Sequence, residues 1–284
     1  PGINLSFATL LLASSCNVIL ADLSLRPEAH SLLSTYPTTA HFVHTDVTSW
    51  PSLAATFDAA YSHFGDVHLV CPGAGVYEPP WSSFWHPPGT AASKDDAEGG
   101  KYASLDINLI HPIRMTQMAL ARWLAPPAGV EKVSPQNPKR VVHVASVAGL
   151  TASLCTPLYH ASKFGVVGFV RSLAALESIG VRVNGVAPGL VWTPLWAEGD
   201  KGTYADRERQ EWVTAEEVAR GMVALATEEE WKGGSVMEIS RMGMRREVAP
   251  RGDPGPDSGD FVGFDGKGLA KGVLRDLGVE GWGV

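Results

Sequence analysis

Six short apolar runs, rich in valine, isoleucine and leucine, recur between stretches of helical periodicity. Runs apolar on both faces are buried on both faces, which calls for a parallel sheet covered by helices above and below. The spacing predicts a helix over Ile3–Ala13 and a strand over Asn17–Ala21 that ends in Asp22, then a short helix over Pro27–Ser34. A strand follows at His41–His44, before Asp46-Val47, and Ser49-Trp50-Pro51-Ser52 opens a helix to His63 with proline in its first turn. Val67–Cys71 reads as a strand, Lys101–Leu124 as one long helix, Arg140–Ala145 as a strand, Thr156–Ser178 as a second long helix and Val181–Ala187 as a strand. Thr214–Thr227 is a helix opened by the capping box Thr214-Ala-Glu-Glu217, and Ser235–Ile239 is the last strand.

Three stretches break this alternation. Tyr77–Gly100 is a loop rich in Pro, Ser and Trp, and Pro126–Pro138 is an insertion with four prolines. From Arg241 the chain turns Gly-rich and charged, which divides it into one domain over 1–240 and a C-terminal tail over 241–284, with a short helix expected at Gly268–Leu277. The Arg-Gly-Asp at 251–253 falls in that tail and reads as loop chemistry.

Composition narrows the function. The 284 residues are 45% hydrophobic and 19% charged, with a net charge of −7. That balance is globular, and its acidic sign argues against a nucleic-acid partner or an anionic membrane surface. Cys16, Cys71 and Cys155 lie far apart with no CxxC, so neither a thiolate metal site nor a disulfide framework is expected, and no metal is assigned. The early apolar run Leu10–Leu20 is interrupted and short of the ~20 residues of a membrane span. No basic residue precedes Arg26, as a secretory leader would require. A cytoplasmic setting is the expectation.

The chemistry concentrates in Ser146, Tyr159 and Lys163. Ser146 ends a strand, at the carboxyl edge where open α/β sheets bind ligands. Tyr159 and Lys163, four apart at the start of a helix, share one face. A phenol with a pKa near ~10 is a poor base at neutral pH. An ammonium beside it is expected to pull that pKa down, and a serine hydroxyl folded back beside both can hold a substrate oxygen. Asn108 has its own argument: Pro112, four residues on, lacks the N–H that would bond the Asn108 carbonyl. That carbonyl is free to hold a water, or the proline simply kinks a packed helix.

Ser146 with Tyr159-x-x-x-Lys163, Asn108 in Asp106-Ile-Asn108, Pro72-Gly73-Ala74-Gly75, and Pro188-Gly189 with Thr193 together resemble the short-chain dehydrogenase/reductase family over about residues 2–240. The run Cys71–Trp81 is most similar to fungal members related to 15-hydroxyprostaglandin dehydrogenase. The resemblance implies a Rossmann-type, doubly wound, mostly parallel sheet in a single dehydrogenase domain. It implies Tyr159 as general acid/base, Lys163 as its tuner and a ribose ligand, Ser146 as the group orienting the substrate oxygen, and Asn108 as part of a water relay. It also implies cofactor contacts at Gly2, Ile3, Asp22, Asp46, Val47, Gly73, Ala74, Gly75, Pro188, Gly189, Val191 and Thr193. A carboxylate at Asp22 accepts from ribose hydroxyls and repels a 2′-phosphate, which favours NAD over NADP.

The departure from the pattern is at the start. Gly2 matches the penultimate glycine of the family's first turn, Asn4 stands at the last, and the first strand has no counterpart before Pro1. Two accounts follow: the sequence is a piece of a longer enzyme, or cofactor binding is crippled and the chain is a non-catalytic pseudoenzyme or interaction subunit.

The implied reaction is hydride transfer between a small-molecule secondary alcohol or ketone and NAD(H). Trp81, Phe84, Trp85, Trp192 and Trp196 fall in the two loops flanking the expected nicotinamide site. They either line a pocket for a hydrophobic or aromatic substrate, with Trp192 and Trp196 foremost beside Ser146, or pack the loops against the sheet. The helix over 156–178 is apolar on more than one face, which points to a homodimer or homotetramer.

Overall fold

The computed structural model describes residues 2–193, 212–240, 243–249 and 266–278. The helices are α1 (Ile3–Ala13), α2 (Pro27–Thr35), α3 (Trp50–Phe64), α4 (Ala103–Leu105), α5 (His111–Leu124), α6 (Pro157–Ser172), α7 (Ala215–Thr227) and α8 (Gly266–Asp276). The strands are β1 (Val18–Asp22), β2 (Ala40–His44), β3 (Leu69–Val70), β4 (Lys139–Val144), β5 (Val181–Pro188), β6 (Val236–Ile239) and β7 (Arg245–Glu247).

All strand pairs are parallel except β6–β7. They form two sheets, β1-β2 and β3-β4-β5-β6-β7. Among the described residues no strand joins β1 to β3, the place the family's first strand would take. Helix α1 spans that division from one face. Phe7 packs in a cluster with Val142, Val186, Met222 and Ile239, while Ala8 and Leu12 pack with Leu32 and Ala40 of the β1–β2 layer. The opposite face of the larger sheet is closed by Trp123, Ala119, Val166 and Val170 against Val141 and Val183. Helices therefore cover both faces, as continuous apolar strands require.

Three expected elements are shorter than their patterns. Only Leu69–Val70 of the Val67–Cys71 run is strand. The helix expected over 101–124 is broken by a π-type segment, Asp106–Ile110, in which the His111 N–H reaches the Asp106 carbonyl. Pro112 explains the break: without an N–H it cannot continue the ordinary ladder, and the extra residue of a π turn absorbs the mismatch. The second long helix ends at Ser172 and tightens into a 3₁₀ segment, Ala174–Ile179.

The capping box forms as read: the Thr214 side chain accepts from the Glu217 N–H and the Glu217 carboxylate from the Thr214 N–H. Beyond residue 240 the chain contributes more than an irregular tail. β7 extends the sheet, and Val248 and Leu277 enter the main core. Arg171 of α6 donates to the Val248 and Ala249 carbonyls. The Arg-Gly-Asp at 251–253 lies outside the described residues.

Candidate active site

Parallel strands end on one edge, and the residues after β3, β4 and β5 meet there. Ser146 follows β4, is extended in backbone, and caps the 3₁₀ turn Val147–Gly149 by accepting from the Ala148 N–H at 3.1 Å. Its neighbour Ala145 donates to the Val186 carbonyl of β5, which fixes the level of the serine on the sheet. Tyr159 and Lys163 project from the first two turns of α6, both buried. The lysine Nζ lies 5.5 Å from the phenol ring centroid and donates to the Val144 carbonyl at 2.9 Å. The Ser146 side chain faces the phenol and acts to lower its pKa. The three side chains expected to converge do so.

Asn108 sits in the π segment, 1% exposed. Its side chain is committed to Val76: Oδ1 accepts from the Val76 N–H and Nδ2 donates to the Val76 carbonyl, both at 2.8 Å. This pair pins the Pro72–Val76 loop to the helix. Gly75 makes the approach possible, since a Cβ there would lie 3.2 Å from Asn108 Oδ1 and 3.9 Å from Lys163 Nζ. The Asn108 main-chain carbonyl faces Pro112 four residues on, which has no N–H to offer it.

The electrostatics correct one expectation. Tyr159 is pushed up to about 12, chiefly by burial, with Ser146 opposing and Tyr77 adding. The ammonium does not draw it down, because burial also lowers Lys163 itself to about 8 and its Nζ is directed at a carbonyl. The resting phenol therefore holds its proton.

The other expected contacts distribute along the same edge. Asp22 ends β1 with an exposed carboxylate that accepts from the Leu23 N–H at 2.7 Å. Asp46 accepts from the Thr48 hydroxyl at 2.7 Å and N–H at 2.9 Å, which hold its carboxyl below the usual range. Val47 lines a cavity of about 450 Å³ with Trp50, Lys101, Asp106 and His111. Pro188 ends β5, and the Gly189 N–H donates to the Ile239 carbonyl at 2.9 Å. Val191 bridges Val213, Thr193 is buried, and Trp192 stands edge-on to Trp212 at 5.0 Å. Trp196 lies outside the described residues.

Whether this edge suits a dinucleotide is tested at α1. Its N-terminus carries no side-chain cap, and a Cβ on Gly2 would meet nothing within 4 Å, which leaves room for a ligand beside the helix start. With Asp22 beside it and Lys163 at the other end, these residues fit a nicotinamide dinucleotide. Ala74 lies in the loop that Asn108 pins, between the two ends. Asn4 is the one intrusion: its amide lies where a Cβ of Gly73 would be, and its Oδ1 is 3.9 Å from Cys71 Sγ.

Sequence reasoning missed several residues here. Tyr77 stacks edge-on against Tyr159 at 4.7 Å, and the Glu78 carboxylate accepts from the Tyr159 N–H at 2.9 Å. His111 and His143 are buried behind the lysine, lowered to about 4 and about 3, in each case first by burial. No pattern in the sequence marks them; they follow from a loop and a helix interior whose placement only the fold decides.

A sequence profile described as short chain dehydrogenase matches residues 1–203. Among curated proteins, (+)-borneol dehydrogenase 1 of Salvia officinalis is 28% identical over 237 residues, covering 80% of this chain and 84% of the relative. The mouse 15-hydroxyprostaglandin dehydrogenase [NAD(+)] is 29% identical over 224 residues, covering 74% and 72%. Among solved structures, a short-chain dehydrogenase/reductase (glucose/ribitol dehydrogenase) from Brucella melitensis superposes with a TM-score of 0.63 at 23% identity, covering 86% of this chain and 92% of that one, a likeness of fold.

Proposed function

Since the chain belongs to the short-chain dehydrogenase family and is an oxidoreductase of that family, we propose that it transfers a hydride between NAD(H) and a hydrophobic or aromatic secondary alcohol or ketone. The observation that carries this reading is the convergence of Ser146, Tyr159 and Lys163 on one sheet edge. Bound NAD(H) supplies hydride chemistry at C4 of its nicotinamide. The chain's own residues do the rest. Ser146 orients the substrate oxygen. Tyr159, which holds its proton at rest, gives it to a ketone oxygen as the carbinol forms; in the reverse direction it first releases that proton along the water path, and the phenolate then takes the proton of the alcohol. Lys163 holds a ribose and balances charge on the phenol, and the Asn108 carbonyl holds a water on the proton path. Gly2, Ile3, Asp22, Asp46, Val47, Gly73, Ala74, Gly75, Pro188, Gly189, Val191 and Thr193 are assigned to the cofactor. The Asp22 carboxylate favours NAD over NADP, in keeping with the NAD(+) named for the mouse relative.

Apolar rings at the edge support the substrate class. Phe84 and Trp85 are each half-exposed and meet edge-on at 5.0 Å, and Trp192 is also exposed. We assign Trp192 and Trp196 to the substrate pocket. A homodimer or homotetramer is proposed on the exposed Phe164 of α6 and Ile110 of the π segment, with light scattering as its test. A cytoplasmic setting is proposed on the free thiols Cys16, Cys71 and Cys155. Among the described residues no helix is long and apolar enough to cross a membrane.

The rival is a non-catalytic binding protein on the same fold, favoured by Asn4 against Gly73. Calorimetry with NAD and with NADP separates them, on this chain and on one carrying a family-like first strand ahead of Pro1. Binding of NAD with NADH formation from an apolar secondary alcohol, abolished by Tyr159→Phe, is the expected result. Failure of both chains to bind refutes it, and preference for NADP refutes the role of Asp22. Unchanged KM in Trp192→Ala and Trp196→Ala removes the pocket assignment.

A further inference from the structure

Helix α6 begins without a cap of its own. Thr156, at the cap position, has its hydroxyl turned to His160 Nδ1 at 3.2 Å and to the Tyr77 hydroxyl at 3.5 Å, and Pro157 has no N–H. Among the donors this leaves in the first turn is the amide of Tyr159 itself. It is met by a residue eighty-one positions earlier: Glu78 Oε2, at 2.9 Å. The other oxygen, Oε1, accepts from the Phe84 N–H at 3.0 Å and the Ser83 hydroxyl at 3.3 Å. Glu78 is 7% exposed, and among the described residues no cation pairs with it. A buried carboxylate without a counter-ion persists only where donors hold it. Its backbone is also strained, with φ at +35°, a region a non-glycine residue rarely enters.

We infer that Glu78 is a positioning residue, one carboxylate that fixes both the Tyr159 end of α6 and the aromatic rim carried by the loop after β3. One oxygen sets the depth of Tyr159 through its amide. The other closes the Glu78–Phe84 turn and so sets Phe84 and Trp85, with the Trp85 Nε1–H tied separately to the Leu154 carbonyl at 2.8 Å. The acid/base group and the apolar rim are thereby held at one fixed separation, and the rim behaves as a rigid roof. The negative charge also lies at the N-terminus of α6, where it complements the helix dipole.

The inference rests on the dehydrogenase reading for its consequence in turnover, but not for its geometry. The test is Glu78→Gln in the full chain. A carboxamide has only one oxygen, so whichever way it turns, either the Tyr159 amide or the Phe84 amide loses its acceptor. Hydrogen–deuterium exchange should speed by about tenfold or more in peptides spanning 78–86 or 157–163. Turnover should fall about tenfold in kcat with KM within about threefold, the signature of misplacement rather than lost binding. Should Glu78→Gln fail to fold, Glu78→Asp keeps the charge but cannot span both sets of donors, and the same exchange measurement applies. Unchanged exchange in both segments overturns the inference, and so does lost protection with unchanged kcat. A wild-type chain that turns over no alcohol sinks the dehydrogenase reading instead, and the exchange data still decide whether Glu78 fastens the two segments.

Discussion

Gly149 is the point at which the serine-bearing turn touches α6. A Cβ there would lie 2.6 Å from the Lys163 carbonyl oxygen and 2.9 Å from Val167 Cγ2. The oxygen belongs to the helix backbone and cannot rotate away. A carbon–oxygen contact needs about 3.4 Å, so Gly149→Ala must move the Val147–Gly149 turn off α6 by about 0.8 Å. Ser146 caps that turn, so its hydroxyl moves with it. Overpacking of this kind costs about 1–3 kcal/mol, or about 2–5 °C in Tm for a chain of this size. Displacing a catalytic hydroxyl by nearly an ångström costs on the order of 100-fold in rate. Tm by calorimetry and kcat on the NAD-loaded protein, corrected for folded fraction, measure the two effects separately. A variant within twofold of wild type in kcat would refute the claim that this close approach sets the serine against the tyrosine.

Three further outcomes are expected. Lys163, lowered to about 8 from an unfolded value near 10.5, binds its proton less tightly when folded, so its burial penalty is full below pH 8 and fades as pH rises toward 10.5. Lys163→Met should therefore be inactive yet more stable than wild type at pH 7 by denaturant titration, with the gap closing above pH 8. His143, lowered to about 3, favours the folded state above its ordinary value of 6.5 and loses that contribution as pH falls, so His143→Leu should flatten the stability curve between pH 6.5 and 4. Gly73→Ala would overlap the Asn4 amide and cost about 1–2 kcal/mol; the double variant Asn4→Gly, Gly73→Ala should recover most of it, and strict additivity in the cycle would show that the two do not touch.

Long periodic elements were readable from the sequence because burial leaves a mark in composition. Ile3–Ala13 and the Thr214 capping box match their spacing to the residue. Elements without such a mark were not. β7 is Arg-Arg-Glu, exposed throughout, with no apolar side chain to mark it as a strand. The π segment at Asp106–Ile110 shows only as Pro112, which is consistent with a kink as well. At the site, Ser146, Tyr159 and Lys163 were legible because four residues make a helical turn and a strand end has a fixed position. The sign of the Tyr159 shift was not, since it depends on how deeply the ring is buried and on where the ammonium points. Glu78 was invisible because its partners lie up to eighty-one residues away across a loop.

The reach of α1 over both sheets bears on how the molecule comes apart. Phe7 belongs to the apolar layer over the larger sheet, Ala8 and Leu12 to that over the β1–β2 pair, and these neighbours on a single helix join two layers that share no strand bond among the described residues. A rivet of this kind makes cooperativity a local property. While it holds, the two layers melt as one; once it is loosened, the smaller layer acquires an opening free energy of its own, below that of the whole.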